Sequence, residues 1–213
     1  MKVNEIFNSI DGEGKRTGML VSFIRLTGCN LRCSYCDTTY ALSPSNGKET
    51  TITSILQTLD TYQCPNVTIT GGEPLIHEGI DQLVDALIDH GYNVNIETNG
   101  SVDITPYLNR NTLITMDYKL PSSDMESSMD ADNLPLLRDT DVLKFVVSDV
   151  QDLNRMMEVI STNTIKAKIY ISPVSNKMNP QTIVQFMKDN HLTSARLQLQ
   201  LHKIIWNPDT KGV

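Results

Sequence analysis

Apolar residues fall along this chain in short runs of two kinds. Mostly apolar runs rich in Val and Ile are VSFIRL (21–26), NVTIT (66–70), NVNIET (93–98), LITMDY (113–118), VLKFVV (142–147), AKIYIS (167–172) and ARLQLQL (195–201). Runs of this length and composition predict strands covered on both faces, as in a parallel sheet. Between them lie TSILQTLDTY (53–62), GIDQLVDALIDHG (79–91), QDLNRMMEVIST (151–162) and NPQTIVQFMKDNH (179–191). These predict helices; in the second, Ile80, Leu83, Val84 and Leu87 recur at helical spacing and Gly91 predicts the stop. Asn179 followed by Pro180 predicts an N-cap and a first helical turn.

Strand, helix and strand in alternation predict an α/β fold with crossover helices. Seven predicted strands against four helices are too few helices for a complete eight-fold barrel. The stretch 99–141 is irregular, and within it PSSDMESSMDADNLP is rich in Ser, Asp and Pro. The expectation is a partial, shortened (β/α) barrel. Neither an internal repeat nor a linker interrupts the pattern, so a single domain over residues 1–213 is expected.

Composition narrows the function. A net charge of −7 argues against a surface built to neutralise phosphates, so no nucleic-acid partner is expected. No apolar run approaches the roughly 18 residues that would suggest a membrane span. MKVNEIFNSIDGEG carries no apolar signal core, and the expected location is cytoplasmic, with no membrane partner. Four cysteines in a reducing compartment more often bind metal or do redox chemistry than form disulfides.

Three of them, Cys29, Cys33 and Cys36, sit together in GCNLRCSYCDT (28–38). If the VSFIRL strand ends near Leu26, this loop lies beyond its carboxyl end, where parallel α/β proteins put their chemistry. A closed zinc site needs four ligands, but Cys64, His77, His90, His191 and His202 are dispersed. A 4Fe–4S cube held by three thiolates leaves one iron open for a small molecule. Read alone, the trio is compatible with either. Cys64 reads as a core cysteine. TGGEP (70–74) ends the next strand and ETNG (97–100) the one after, so three polar clusters converge on one mouth.

Cys-x3-Cys-x2-Cys with Tyr35 before the third cysteine resembles the signature of radical S-adenosylmethionine (SAM) enzymes, and TGGEP resembles their Gly-Gly-Glu motif. Flanking segments are similar to one family among them, the 7-carboxy-7-deazaguanine synthases. SIDGEGKRTGMLVSFIRLTGCN (9–30) resembles that family's opening, with Asp11 where Gln is frequent. CDT (36–38) and LQLHKIIWNPDTKGV (199–213) also match.

The resemblance implies a 4Fe–4S cluster on Cys29, Cys33 and Cys36, SAM on its open iron, and Mg²⁺ on Thr38. It implies that a 5′-deoxyadenosyl radical takes hydrogen from C6 of 6-carboxy-5,6,7,8-tetrahydropterin, with ring contraction and loss of ammonia. SAM contacts are carried over to Tyr35, Asp37, Gly72, Glu73, Glu97, Asn99, Asp117, Lys119, Ser172 and Ser175. Substrate contacts are carried over to Asp11, Gly12, Glu13, Arg25, Thr70 and the terminal carboxylate of Val213. The residue types suit this: Arg25 offers a planar fork for a carboxylate, and Glu13 an acceptor for pterin N–H groups. Arg32 reads as solvated and Trp206 as packing, while His202 and Lys203 are expected to hold the tail. The family further implies a homodimer and a flavodoxin or ferredoxin as reductant. Two rivals stay open: a radical SAM activase of a glycyl-radical enzyme, and a non-catalytic iron–sulfur or zinc module.

Overall fold

The computed structural model describes residues 1–207 and 210–213. Pro208 and Asp209, inside the matching C-terminal segment, lie outside the described residues.

The chain runs β1 (Lys2–Ile10), β2 (Leu20–Leu26), β3 (Lys48–Glu49), α1 (Ile52–Tyr62), β4 (Asn66–Gly71), α2 (Ile80–Asp89), β5 (Asn93–Thr98), α3 (Thr105–Leu108) and β6 (Thr112–Tyr118). It continues through β7 (Val142–Val147), α4 (Val150–Thr162), β8 (Lys168–Pro173), α5 (Pro180–Asp189), β9 (Arg196–Leu197) and α6 (His202–Ile205). The nine strands form one sheet in the order β3-β1-β2-β4-β5-β6-β7-β8-β9. From β2 to β9 every pairing is parallel; β1 runs antiparallel to both β2 and β3. The sheet keeps two edges, β3 and β9, and so is a barrel left open.

All four long helices start and stop where their sequences direct. Thr51 caps α1 by accepting from Ser54 N at 3.1 Å, and Asp149 caps α4 by accepting from Asp152 N at 2.9 Å. Asn179 caps α5 through Gln181 N at 2.9 Å, with Pro180 following as its first residue. The α2 helix stops at Gly91, whose φ of 84° is a left-handed value that glycine adopts without strain. The continuous apolar strands bury Ile24, Ile69, Ile96, Ile114 and Phe145 completely or nearly so, against Leu83 and Leu87 of α2 and Met156 of α4. No helix among the described residues is long and apolar enough to cross a membrane.

Besides the short β3, α3 and α6, which no run in the sequence predicts, two elements depart from expectation. The β1 strand was not foreseen, because KVNEIFNSI mixes polar and apolar residues and buries only Val3, Phe7 and Ser9. An antiparallel strand near the sheet edge needs no continuous apolar run. At the other end, ARLQLQL narrows to the two-residue β9. Beyond Leu197 the chain leaves the sheet, because Gln198 accepts from Gly14 N at 2.7 Å and donates to Gly14 O at 2.9 Å and to Thr17 Oγ1 at 2.7 Å. Leu201 N then donates to Gly12 O at 3.0 Å. The C-terminal tail is thereby fastened across the connection between β1 and β2.

Candidate active site

The carboxyl ends of the parallel strands, the β1–β2 connection and the C-terminal tail enclose a cavity of about 260 Å³. Three loops meet there. The cysteine loop follows β2, and Cys29, Cys33 and Cys36 all face the cavity as free, half-buried thiols. Burial raises the Cys33 and Cys36 thiols above their ordinary range. Tyr35 ties the loop to β7 by donating its hydroxyl to Val146 O at 3.3 Å. Arg32, expected to be solvated, is exposed but donates to the loop carbonyls of Cys29 at 2.8 Å and Leu31 at 2.7 Å.

The Gly-Gly-Glu segment follows β4 and packs directly beneath this loop. A Cβ at Gly72 would lie 2.0 Å from Gly28 O and 2.9 Å from Cys29 Cβ. Gly71, at φ 136°, would meet Leu26 O at 2.1 Å. Two consecutive glycines are therefore required for the β4 turn to approach the end of β2. Glu73 lies behind the cavity wall, with no exposed surface. Its carboxylate accepts from Leu75 N at 3.0 Å, Thr98 Oγ1 at 2.8 Å and Asn99 N at 2.6 Å. Burial pushes its carboxyl up to about 7, against these three hydrogen bonds, which favour the ionised form. Glu73 thus clamps the β4 and β5 loops together. Asn99, held by that clamp, donates through Nδ2 to Asn30 Oδ1 at 3.1 Å and approaches Cys29 Sγ at 3.7 Å.

The opposite wall is charged. Lys144, in the middle of β7, contacts Glu13 Oε2 at 3.1 Å and Asp117 Oδ2 at 3.4 Å; Lys119 contacts the same Asp117 oxygen at 3.0 Å. Burial opposes ionisation of Asp117, but Lys119 and Lys144 outweigh it and hold its carboxyl below the usual range. For Lys144 burial works downward, and Asp117, Glu13 and Glu97 drive it well above the ordinary lysine value. Glu13 Oε1 and Asp117 Oδ1 are buried without a hydrogen-bond partner among the described residues. Thr70 Oγ1 donates to Glu97 Oε2 at 2.8 Å. Arg25 uses Nε for Glu5 Oε1 at 2.7 Å and lies 5.4 Å and 5.8 Å from the ring centres of Phe7 and Tyr40. Its fork is thereby fixed with an edge on the cavity.

The cavity so described also gathers Asp11, Gly12, Thr38, Asp37 and Val213. Comparison with known proteins gives this constellation its place. The radical SAM superfamily pattern matches residues 23–112. A protein of Clostridium acetobutylicum called 7-carboxy-7-deazaguanine synthase is 48% identical, over 100% of this chain and 99% of its own length. One of the same name from Methanospirillum hungatei is 41% identical, over 98% of this chain and 86% of its own. The chain belongs to the 7-carboxy-7-deazaguanine synthase family of radical SAM enzymes. The crystal structure of QueE from Escherichia coli superposes with a TM-score of 0.77 at 25% identity, covering 93% of each chain.

The donor set suits the cofactors of a radical SAM enzyme, a 4Fe–4S cluster and SAM. The three thiols border one cavity. Cys64 sits at the other end of β4, its thiol 3.3 Å from Leu20 O, and cannot serve as a fourth ligand there. Cys29, Cys33 and Cys36 would hold such a cluster by three thiolates, leaving one iron without a protein ligand and free for a small molecule.

Three residues carried over for SAM stand apart from the cavity lining: Glu73, Ser172 and Ser175. Glu73 is occupied as a clamp. Ser172 is fully buried in β8 with its hydroxyl unpartnered, and Ser175 is exposed, leaving Val174 to face the cavity. Lys144, Thr115 and Gln200 line the cavity and were not singled out from the sequence. A lone lysine inside VLKFVV was the available signal, since a charge in a strand covered on both faces requires partners.

Proposed function

We propose that this chain is a carbon–nitrogen lyase that converts 6-carboxy-5,6,7,8-tetrahydropterin to 7-carboxy-7-deazaguanine. With the cluster, SAM and an electron donor of the flavodoxin or ferredoxin type, the bound group supplies a 5′-deoxyadenosyl radical that takes hydrogen from C6. The remaining work belongs to the protein. Arg25, anchored by Glu5, offers its guanidinium edge to the pterin carboxylate. Glu13 keeps Oε2 on Lys144 and offers its unpartnered Oε1 to a pterin N–H. Thr70 and the Val213 carboxylate close the substrate pocket. Asn99, Asp117 and Lys119 face the SAM side, with the Asp117 Oδ1 atom still unpartnered.

The observation that carries the reading is the pairing, in one cavity, of three open thiols with an arginine fork and a buried unpaired carboxylate oxygen. A glycyl-radical activase would instead need a docking surface for a large protein. The test is anaerobic turnover of reconstituted protein with SAM, dithionite, Mg²⁺ and the pterin, read by mass spectrometry. Formation of 7-carboxy-7-deazaguanine is expected. Accumulation of 5′-deoxyadenosine without it would remove the pterin assignment and leave the radical SAM chemistry standing.

Magnesium is proposed at Thr38. Its hydroxyl donates to Asp37 Oδ1 at 3.1 Å, while Asp37 Oδ2 is paired with Lys203 at 2.8 Å. Crowding opposes ionisation of Asp37, but the Lys203 ammonium overcomes it and holds the carboxyl well below the usual range. Mg²⁺ tolerates few protein ligands when substrate oxygens and waters complete its octahedron. Thr38→Ala is expected to keep full iron content while raising the Mg²⁺ concentration for half-maximal turnover by about 10-fold or more. An unchanged Mg²⁺ response would take Thr38 out of the metal site. The proposed assembly is a homodimer in the cytoplasm, and sedimentation of the reconstituted protein tests the subunit count.

A further inference from the structure

The cavity wall formed by the β1–β2 connection and the ends of β5, β6 and β7 holds four carboxyl groups: Asp11, Glu13, Glu97 and Asp117. Its two lysines are already engaged. Lys144 contacts Glu13 and Asp117, and Lys119 contacts Asp117. Among the described residues neither Asp11 nor Glu97 has an ion-pair partner. Asp11 is only 2% exposed. Asp11 is buried, Glu97 is half-buried and neither is ion-paired, so desolvation and mutual repulsion act in the same direction and favour a proton on one of the two.

The geometry selects which of the two takes the proton. Burial raises the Glu97 carboxyl as well, but it accepts from Thr70 Oγ1 at 2.8 Å and feels the fields of Lys144 and Arg25, all of which favour its charged form. The Asp11 carboxyl accepts one hydrogen bond among the described residues, from Glu13 N to Oδ1 at 3.3 Å. Arg16, on its own segment, favours the charged form through its field, but its Nη1 donates to Val67 O at 3.2 Å and it makes no ion pair with Asp11. On the side of the tail, His202 packs on Gly12, and burial lowers its imidazole below the ordinary range, so it brings no charge. Oδ2 of Asp11 has no hydrogen-bond partner among the described residues, although the side chain borders the cavity.

We infer that Asp11 is a neutral carboxylic acid in the working enzyme and presents its Oδ2–H as a hydrogen-bond donor to the pterin. Burial and the Glu97 charge push this carboxyl up to about 8, in keeping with that assignment. Two residues on, the unpartnered Glu13 Oε1 is an acceptor. A donor beside an acceptor reads the carbonyl-next-to-N–H edge of a pyrimidinone ring, which two carboxylates side by side would repel at its oxygen. The inference rests on the pterin reading for its ligand, but not for the protonation state.

Two measurements separate those parts. Infrared difference spectra of protein labelled with ¹³C-aspartate report protonated carboxyls directly, without cluster or substrate. The wild type is expected to show a protonated-aspartate carbonyl band at pH 7 that is lost on titration through about pH 8 and is missing from Asp11→Asn. Absence of that band at pH 7, or its persistence in Asp11→Asn, overturns the inference. The second measurement is the pH dependence of kcat/KM for the pterin. Because the acid form binds, wild-type kcat/KM is expected to fall tenfold per pH unit above that pKa. Asp11→Asn cannot ionise and, whatever its absolute rate, is expected to lack this alkaline limb. An identical alkaline limb in wild type and Asp11→Asn overturns the donor role. A titrating infrared band in a protein that turns over no pterin would leave the protonation standing and remove the substrate reading.

Discussion

Changing any one of Cys29, Cys33 or Cys36 to alanine is expected to abolish iron–sulfur assembly and with it all SAM cleavage. Each thiol would hold one iron of the cluster, and the cavity offers no spare cysteine to replace it. Cys64 is the only other cysteine in the chain, and it is buried at the far end of β4 against Leu20 O. Cys64→Ala is therefore expected to retain wild-type iron content and 5′-deoxyadenosine formation. Iron and sulfide per chain, with the visible charge-transfer absorption, check all four variants. Loss of the cluster in Cys64→Ala would make that residue a ligand and refute the open-iron arrangement. Retention of a cluster in any of the other three would do the same.

The second large effect is expected at a residue that has no side chain. In Gly72→Ala the added methyl overlaps Gly28 O, Gly28 C and Cys29 Cβ at 2.0, 2.5 and 2.9 Å. Two of these atoms are backbone, so no side chain can rotate away. Either the β4 turn or the start of the cysteine loop must move, and overpacking of this kind costs about 1–3 kcal/mol. For a chain of this size the melting midpoint should fall by about 2–4 °C per kcal/mol. Iron content should fall too, because Cys29 is the ligand displaced. Calorimetry and iron analysis on one preparation test both. A variant with normal Tm and full iron would mean that the glycine is not needed for this approach. Glu73→Gln works through the same joint: it keeps an acceptor for two of the three donors but sets an amide N–H against the remaining one.

Both predictions turn on how three loops meet, and that is the level at which sequence and structure divide. The six long parallel strands were legible because each is nearly continuous in apolar residues, and the four long helices because caps such as Asn179 and stops such as Gly91 mark their ends. The CxxxCxxC spacing was legible because a short loop with fixed intervals is a local property of the chain. By contrast, β1 was invisible, since a half-exposed antiparallel strand has no run to detect. Arg25 was legible as a carboxylate fork, but its anchoring by Glu5, twenty residues earlier and on the neighbouring strand, was not.

The departure at Asp11 shows the same division. From sequence it is an acid where the family has an amide. In the folded chain it is buried without an ion-pair partner among the described residues, and a neutral carboxyl there would carry a donor and an acceptor as an amide does. Whether Glu73 faces a ligand or clamps Asn99 is likewise decided by which backbone N–H groups the β4 and β5 turns bring within 3 Å of its carboxylate.

By itself, then, the sequence determined the α/β alternation, the cysteine spacing and the family, all of which are written in periodicity and in short fixed spacings. Only the tertiary structure decided the charge wall around Lys144, the fastening of the tail by Gln198 and the surroundings of Asp11 and Glu73. Those depend on residues far apart in the chain sharing one buried volume, where every charge and hydrogen-bonding group needs a partner.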